Sequence, residues 1–137
     1  MAGGQCNCGA IGFEIGVEPA DVLVCHCSIC RRATGGNGIA VIIVDNDDFQ
    51  WTHGEDLMTS WKKPDADWEI SFCPTCGSPL PDRNDESRMF VPAGLISEGG
   101  EALQVKHHIW VDSKAAWDVI GDTGHQHPGK FERSKTT

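Results

Sequence analysis

Cationic residues are scarce in this chain. Its 137 residues include 11 lysines and arginines against 20 aspartates and glutamates, a formal net charge of −9 with an isoelectric point near 4.9. Nucleic acids and anionic membranes recruit basic surfaces, so neither is expected as the main partner. Long apolar runs are also lacking. The longest, Ile39 to Val44, falls far short of the roughly 20 residues a membrane-spanning helix needs. The opening residues, Met-Ala-Gly-Gly-Gln-Cys, show no basic stretch followed by an apolar one, so no secretory leader is read there. A soluble protein of a reducing compartment, the cytoplasm, is the expectation. Helix signals are few, and there is no repeat or low-complexity segment.

Cysteine, by contrast, is abundant and clustered. Seven cysteines form three tight groups: Cys6-x-Cys8, Cys25-x-Cys27-x-x-Cys30 and Cys73-x-x-Cys76. A disulfide framework calls for an oxidising compartment and an even count. Buried apolar cysteines would be scattered. Metal binding is therefore the preferred reading, with redox thiols as the alternative. Zinc favours four tetrahedral ligands; structural sites close all four positions, and catalytic sites keep three protein ligands and one open position. Seven divides into four and three. The thiolate-rich pattern favours zinc over iron. Spacing alone allows Cys27-x-x-Cys30 to pair with Cys73-x-x-Cys76 as a zinc ribbon. It also allows Cys6, Cys8, Cys73 and Cys76 to close one site, with Cys25, Cys27 and Cys30 as a compact trio. The second division is modestly preferred, because it keeps the open trio on one short segment.

Length indicates a single domain spanning residues 1–137, with a core from about 4 to 117 and a polar strap or tail from 121 to 137. Hydrophobic periodicity is mostly two. It predicts strands at Ile11–Val17, Val22–Cys25, Ile39–Val44, Phe49–Thr52, Leu57–Trp61, Trp68–Phe72, Met89–Pro92 and Val105–Val111. Gly35-Gly36, Asn46-Asp47, Pro64-Asp65 and Gly99-Gly100 separate them. Ser113 is read as the cap of a short helical turn over Lys114, Ala115, Ala116 and Trp117. The expected architecture is all-β with very little helix.

Five sequence blocks carry a family resemblance: Cys-x-Cys-Gly-Ala at Cys6–Ala10, Cys-His-Cys-Ser-x-Cys-Arg-Arg at Cys25–Arg32, Phe-Cys-x-x-Cys-Gly-Ser at Phe72–Ser78, Ala-Gly-Leu at Ala93–Leu95, and His-Ile-Trp-Val-Asp-Ser-Lys-Ala-Ala-Trp at His108–Trp117. Together they resemble the glutathione-dependent formaldehyde-activating enzyme family, which includes centromere protein V. The resemblance runs from about Gly4 to Trp117. It implies an all-β, β-tent fold of Mss4-like type with two zinc ions. Cys6, Cys8, Cys73 and Cys76 would hold the structural zinc, and Cys25, Cys27 and Cys30 the catalytic one. It implies a carbon–sulfur lyase that makes or breaks a glutathione–aldehyde adduct such as S-hydroxymethylglutathione. Glutathione is then co-substrate, the partners are a small-molecule thiol and an aldehyde, and homo-oligomerisation is left open. Ser71 stands where family members often carry a basic residue.

A free thiol of pKa near 8.5 is only about 3% thiolate at pH 7, and zinc coordination deprotonates it outright. An open zinc position therefore suits a thiol substrate. Arg31 and Arg32 directly follow the trio, and their guanidinium forks suit the carboxylates of glutathione; a solvated basic pair is the plainer reading. His26 lies between two of the cysteines. If those face a metal from an extended segment, His26 points away and is structural rather than a proton carrier. His108 matches the resemblance and is read as either a pocket residue or a hydrogen-bonded strand histidine. His125 and His127 fall in the polar tail. Trp51, Trp61, Trp68, Trp110 and Trp117 are expected in the core or in pocket walls. Two other functions compete: a non-catalytic, zinc-stabilised protein-binding module of Mss4-like fold, and a sensor that releases zinc when the trio is oxidised.

Overall fold

The fold was analysed in a computed structural model that describes residues 1–131. Residues 132–137 of the expected tail lie outside the described residues. Among the described residues the strands are β1 (Ala2–Gln5), β2 (Gly12–Ile15), β3 (Asp21–Cys25), β4 (Ile39–Asp45), β5 (Phe49–His53), β6 (Thr59–Lys62), β7 (Glu69–Phe72), β8 (Pro79–Leu80), β9 (Asp82–Arg83), β10 (Arg88–Pro92), β11 (Ile96–Glu98), β12 (Gln104–Ile109) and β13 (His125–Gln126). One short α-helix, α1 (Ser28–Thr34), and four single turns of 3-10 helix complete the set. The all-β expectation holds.

The chain divides into two compact units. The first comprises Met1–Ala20 and Val41–Leu103; the second comprises Asp21–Ala40 and the segment from Gln104 onward. In the first unit, β1 lies between β11 and β2, and β2 pairs on its other side with β5, all antiparallel. Alternation along β2 turns Phe13 and Ile15 inward. Phe13 stacks on Phe49 with centroids 5.6 Å apart and meets the edge of Trp51 at 6.4 Å. The β-branched run of β4 pairs antiparallel with β10, from Val41↔Pro92 to Asp45↔Arg88, and β9 flanks β10. β6, β7 and β8 form a separate antiparallel sheet. The fully buried Cys6, Ile11, Cys73 and Leu80 make a small core, against which Trp51, Met58 and Leu95 pack. Gly54 adopts φ +77° where the chain turns under Ala10; a Cβ there would lie 2.0 Å from the Ala10 carbonyl oxygen.

The second unit is built on parallel pairing. β12 lies parallel to β3, with His108 opposite Val24 and Ile109 opposite Cys25, and β13 lies parallel to β12 on its other side. Residues 121–131 thus form a strap. His127 N donates to His108 O at 2.8 Å, Val111 N to His127 O at 3.1 Å, and Trp110 N to Gly129 O at 2.9 Å.

Several sequence expectations are corrected. The 3-10 turn falls on Val111–Ser113, and a separate hydrogen-bonded turn follows at Ala116–Trp117, with Asp118 N donating to Ala115 O at 3.1 Å. Trp110 takes a left-handed conformation at φ 57° directly after β12, and Ser113 closes the 3-10 turn by donating its backbone N–H to Trp110 O. Leu57 lies in a 3-10 turn that Gly54 opens, and β6 starts two residues later. α1 was not read from the sequence at all. Trp51 and Trp68 are half-buried, but Trp61, Trp110 and Trp117 are 51%, 41% and 69% exposed, because each sits on an edge strand or in a turn rather than on a covered sheet face.

Candidate metal centres

The first centre is made of two matching turns in the first unit. After β1 the backbone folds at Cys6, with Cys6 N donating to Ile11 O and Gly9 N returning to Cys6 O at 3.0 Å. After β7 it folds again at Cys73, with Cys73 N donating to Ser78 O and Gly77 N to Cys73 O at 2.7 Å. Gly9 and Gly77 supply the positive φ, +78° and +77°, that each turn requires. The buried Ser78 hydroxyl joins the two turns by accepting from Asn7 N at 3.0 Å. It also lies 3.3 Å from Cys76 Sγ. That hydroxyl, helped by the Ser78 backbone N–H, draws the Cys76 thiol down to about 5.

The four sulfurs of Cys6, Cys8, Cys73 and Cys76 lie within 4.8 Å of one another. Cys6 Sγ to Cys8 Sγ and Cys8 Sγ to Cys73 Sγ are each 3.7 Å. Tetrahedral zinc with Zn–S bonds of about 2.3 Å needs sulfurs about 3.8 Å apart. The donor set therefore fits a closed zinc site in chemistry and in spacing.

The second centre lies in the second unit. β3 ends at Cys25, and α1 starts just beyond Cys27. The Cys27 backbone is extended, and its thiol caps the helix by accepting from Cys30 N at 3.4 Å. Gly35, left-handed at φ 71°, ends the helix by donating to Arg31 O. Cys25, Cys27 and Cys30 bring their sulfurs within 4.8 Å of one another, and among the described residues no fourth His, Cys, Asp or Glu joins them. Cys25 and Cys30 are buried and Cys27 is half-buried. A hydrogen bond from Cys30 draws the Cys25 thiol down to about 6 against the opposing effect of burial. The Cys30 thiol is pushed up by the same partner and by its own burial. Three sulfurs converging with no fourth donor among the described residues fit zinc with an open position, and zinc bound there would hold all three as thiolates. Gly38 presses on this turn; a Cβ there would stand 2.4 Å from the Cys25 carbonyl oxygen.

His26 points away from the sulfurs into a buried polar chain. It is 1% exposed, and its Nε2 lies 2.8 Å from Nδ1 of the equally buried His108. His108 Nε2 lies 2.8 Å from Asp122 Oδ1, which also accepts from Gly124 N. A carboxylate only accepts, so His108 donates to Asp122 through Nε2, and one proton lies between His108 Nδ1 and His26 Nε2. Burial, then the neighbouring His108, lowers the His26 pKa. The hydrogen bond from His108 lowers that of Asp122. On its other side, His26 Nδ1 stands 3.4 Å from Asp118 Oδ2 without a hydrogen bond, while Asp118 Oδ1 accepts from Asn37 Nδ2 at 3.2 Å.

Arg31 and Arg32 extend from α1 beside the trio. Arg32 is exposed; Arg31 is half-buried, and its Nε has no hydrogen-bond partner among the described residues. His107 on β12 clusters with His125 and His127 on the strap, with His107 Nδ1 3.0 Å from His127 Nε2, and the three belong to neither sulfur group. Ser71 is buried and donates to Asp82 Oδ2 at 2.7 Å. Asn37, Ser78, Asp118 and Asp122 were not singled out from the sequence. Asn37 and Asp118 meet 81 residues apart and Ser78 meets Asn7 71 residues apart, while Asp122 reaches His108 across the turn that ends β12.

An all-β chain with one closed four-thiol group and one open three-thiol group defines a class of cysteine-rich, zinc-type proteins. A profile of the glutathione-dependent formaldehyde-activating enzyme family matches residues 1–113. The chain belongs to that family. It is similar to a protein of Halomonas elongata provisionally named as a glutathione-dependent formaldehyde-activating enzyme, with 35% identity over 83 residues, 56% of this chain. The matched stretch spans about half, 52%, of that relative. A crystal structure of a Rhodobacter sphaeroides protein has a similar fold, with a TM-score of 0.57 and 24% identity over 70% of this chain and 88% of the other. No helix among the described residues is long and apolar enough to cross a membrane.

Proposed function

We propose that the protein is a zinc-dependent carbon–sulfur lyase acting on the adduct of glutathione with a small aldehyde, S-hydroxymethylglutathione being the simplest. In this reading Cys6, Cys8, Cys73 and Cys76 hold a structural zinc, and Cys25, Cys27 and Cys30 hold a catalytic one. The convergence of three thiols without a fourth protein donor among the described residues carries the reading. A zinc ion bound there favours the thiolate form of a substrate thiol. The protein's own part is to hold and orient. Cys25 is anchored at the end of β3 and Cys30 in the first turn of α1, so the trio is fixed by two elements. Arg31 and Arg32, on the same helix, are the groups offered to the glutathione carboxylates. The reaction is free of redox change. A sulfur–carbon bond forms at the aldehyde carbon, and the thiol proton ends on the aldehyde oxygen; the reverse direction breaks that bond.

Replacing Cys27 with Ser tests this. Serine is itself a good helix cap, so α1 survives while one sulfur is lost. The variant is expected to keep its fold and about one zinc per chain, and to lose both turnover and calorimetric binding of reduced glutathione. Turnover that persists with the second zinc gone would refute the mechanism.

A further inference from the structure

The strap lies beyond the residues that carry the family match, yet it reaches the three-cysteine turn. Asp122 receives His108 Nε2–H, His108 Nδ1 is hydrogen-bonded to His26 Nε2, and His26 is the residue between Cys25 and Cys27. Both bonds are 2.8 Å, and both histidines are almost fully buried, at 1% and 4% exposure. The His26 backbone is fixed as well, because its N–H donates to Ile109 O on β12 at 2.9 Å. At the other end, Asp122 is held by Gly124 N at 2.8 Å. The fit at Gly124 is close. A Cβ there would lie 2.9 Å from Asp122 Oδ1, 3.1 Å from His108 Cδ2 and 3.2 Å from Val105 Cγ1. The strap is thus tied to the cysteine turn by side chains and alongside β12 by backbone.

We propose that Asp122 is a positioning residue for the Cys25, Cys27 and Cys30 centre, acting through His108 and His26. The inference rests on the reading of that centre as a zinc site. His26 is bonded through its backbone to Cys25 and Cys27, so the buried ring and the N–H held by Ile109 O together fix the Cα between the two ligand residues. With Asp122 in place, His108 is locked in one tautomer and one orientation, and His26 has a single partner to meet. Without Asp122 the His108 ring loses that restraint, and the spread passes to the sulfurs. The four-sulfur centre has no share in this chain of bonds, so it serves as an internal control.

The test follows metal release from the zinc-loaded full chain into a chromogenic chelator. Cys27→Ser identifies the phase that belongs to the trio, because it removes that phase alone. Asp122→Ala is expected to speed that phase about tenfold, the usual effect of removing an outer partner of a metal site. The other phase and the urea unfolding midpoint are expected to stay near wild type. Asp122→Asn keeps an oxygen that accepts from both His108 and Gly124, and is expected to restore the slow release. An unchanged phase in Asp122→Ala overturns the proposal. So does equal acceleration of both phases with a lowered midpoint, or failure of Asp122→Asn to restore. A wild-type chain with no second phase at all refutes the zinc reading of the trio, and this inference falls with it.

Discussion

Gly38 and Ser78 show how single residues fix the two sulfur groups. Gly38, at φ 154°, lets the chain pass within contact of the Cys25 carbonyl oxygen. A methyl group at 2.4 Å from that oxygen forces the turn to move. Gly38→Ala is therefore expected to cost about 1–3 kcal/mol, the scale of a locally strained backbone, and to loosen the second metal. Urea denaturation and zinc content read the two effects separately. Ser78 satisfies Asn7 N and faces Cys76 Sγ from a buried position. Ser78→Ala removes the acceptor of this part-buried bond to exposed Asn7, and losing a hydrogen bond of this kind costs about 0.5–1.5 kcal/mol. A smaller loss in chemical denaturation would mean that water replaces the hydroxyl.

At the scale of elements, the paired turns after β1 and β7 are the chief structural commitment of the first unit. Structural zinc contributes about 10–16 kcal/mol in small metal-dependent folds, against total stabilities of about 5–15 kcal/mol. Cys73→Ser is expected to remove the closed site and to abolish the cooperative thermal transition followed by circular dichroism, whereas Cys27→Ser retains it. Strands with alternating or β-branched patterns were legible in the sequence: β2, β4, β7 and β10 fall where the period of two put them. β1 was not, because Ala-Gly-Gly-Gln has no alternating apolar face; its place comes from pairing with β2 and β11. α1 escaped because seven residues between a cysteine cap, Cys27, and the left-handed Gly35 carry no helical period. The sulfur groups were legible because their ligands come in short repeats. The His26–His108 bond was not, since it joins residues 82 apart in the chain.

For the whole molecule, charge decides what approaches easily. The net charge of −9 repels an anionic ligand at long range, while Arg31 and Arg32 attract it only nearby. Glutathione carries one net negative charge at neutral pH. Its association with the zinc-loaded protein is expected to tighten as ionic strength rises from low salt toward the physiological range, where the Debye length falls to about 8 Å. Calorimetric titration across a salt series reads this directly. Weakening with salt would mean that the two arginines outweigh the rest of the surface.

The strap has a consequence for how this family diversifies. The seven cysteines can stay untouched while the segment after residue 113 changes, and that segment places Asp118 beside the ring of His26 and Asp122 on the ring of His108. Under the proposed tie from Asp122, two chains with identical cysteine motifs and different tails are expected to differ in how fast the three-cysteine centre releases its metal. Exchanging tails between relatives becomes a route to new activity that leaves the ligands alone.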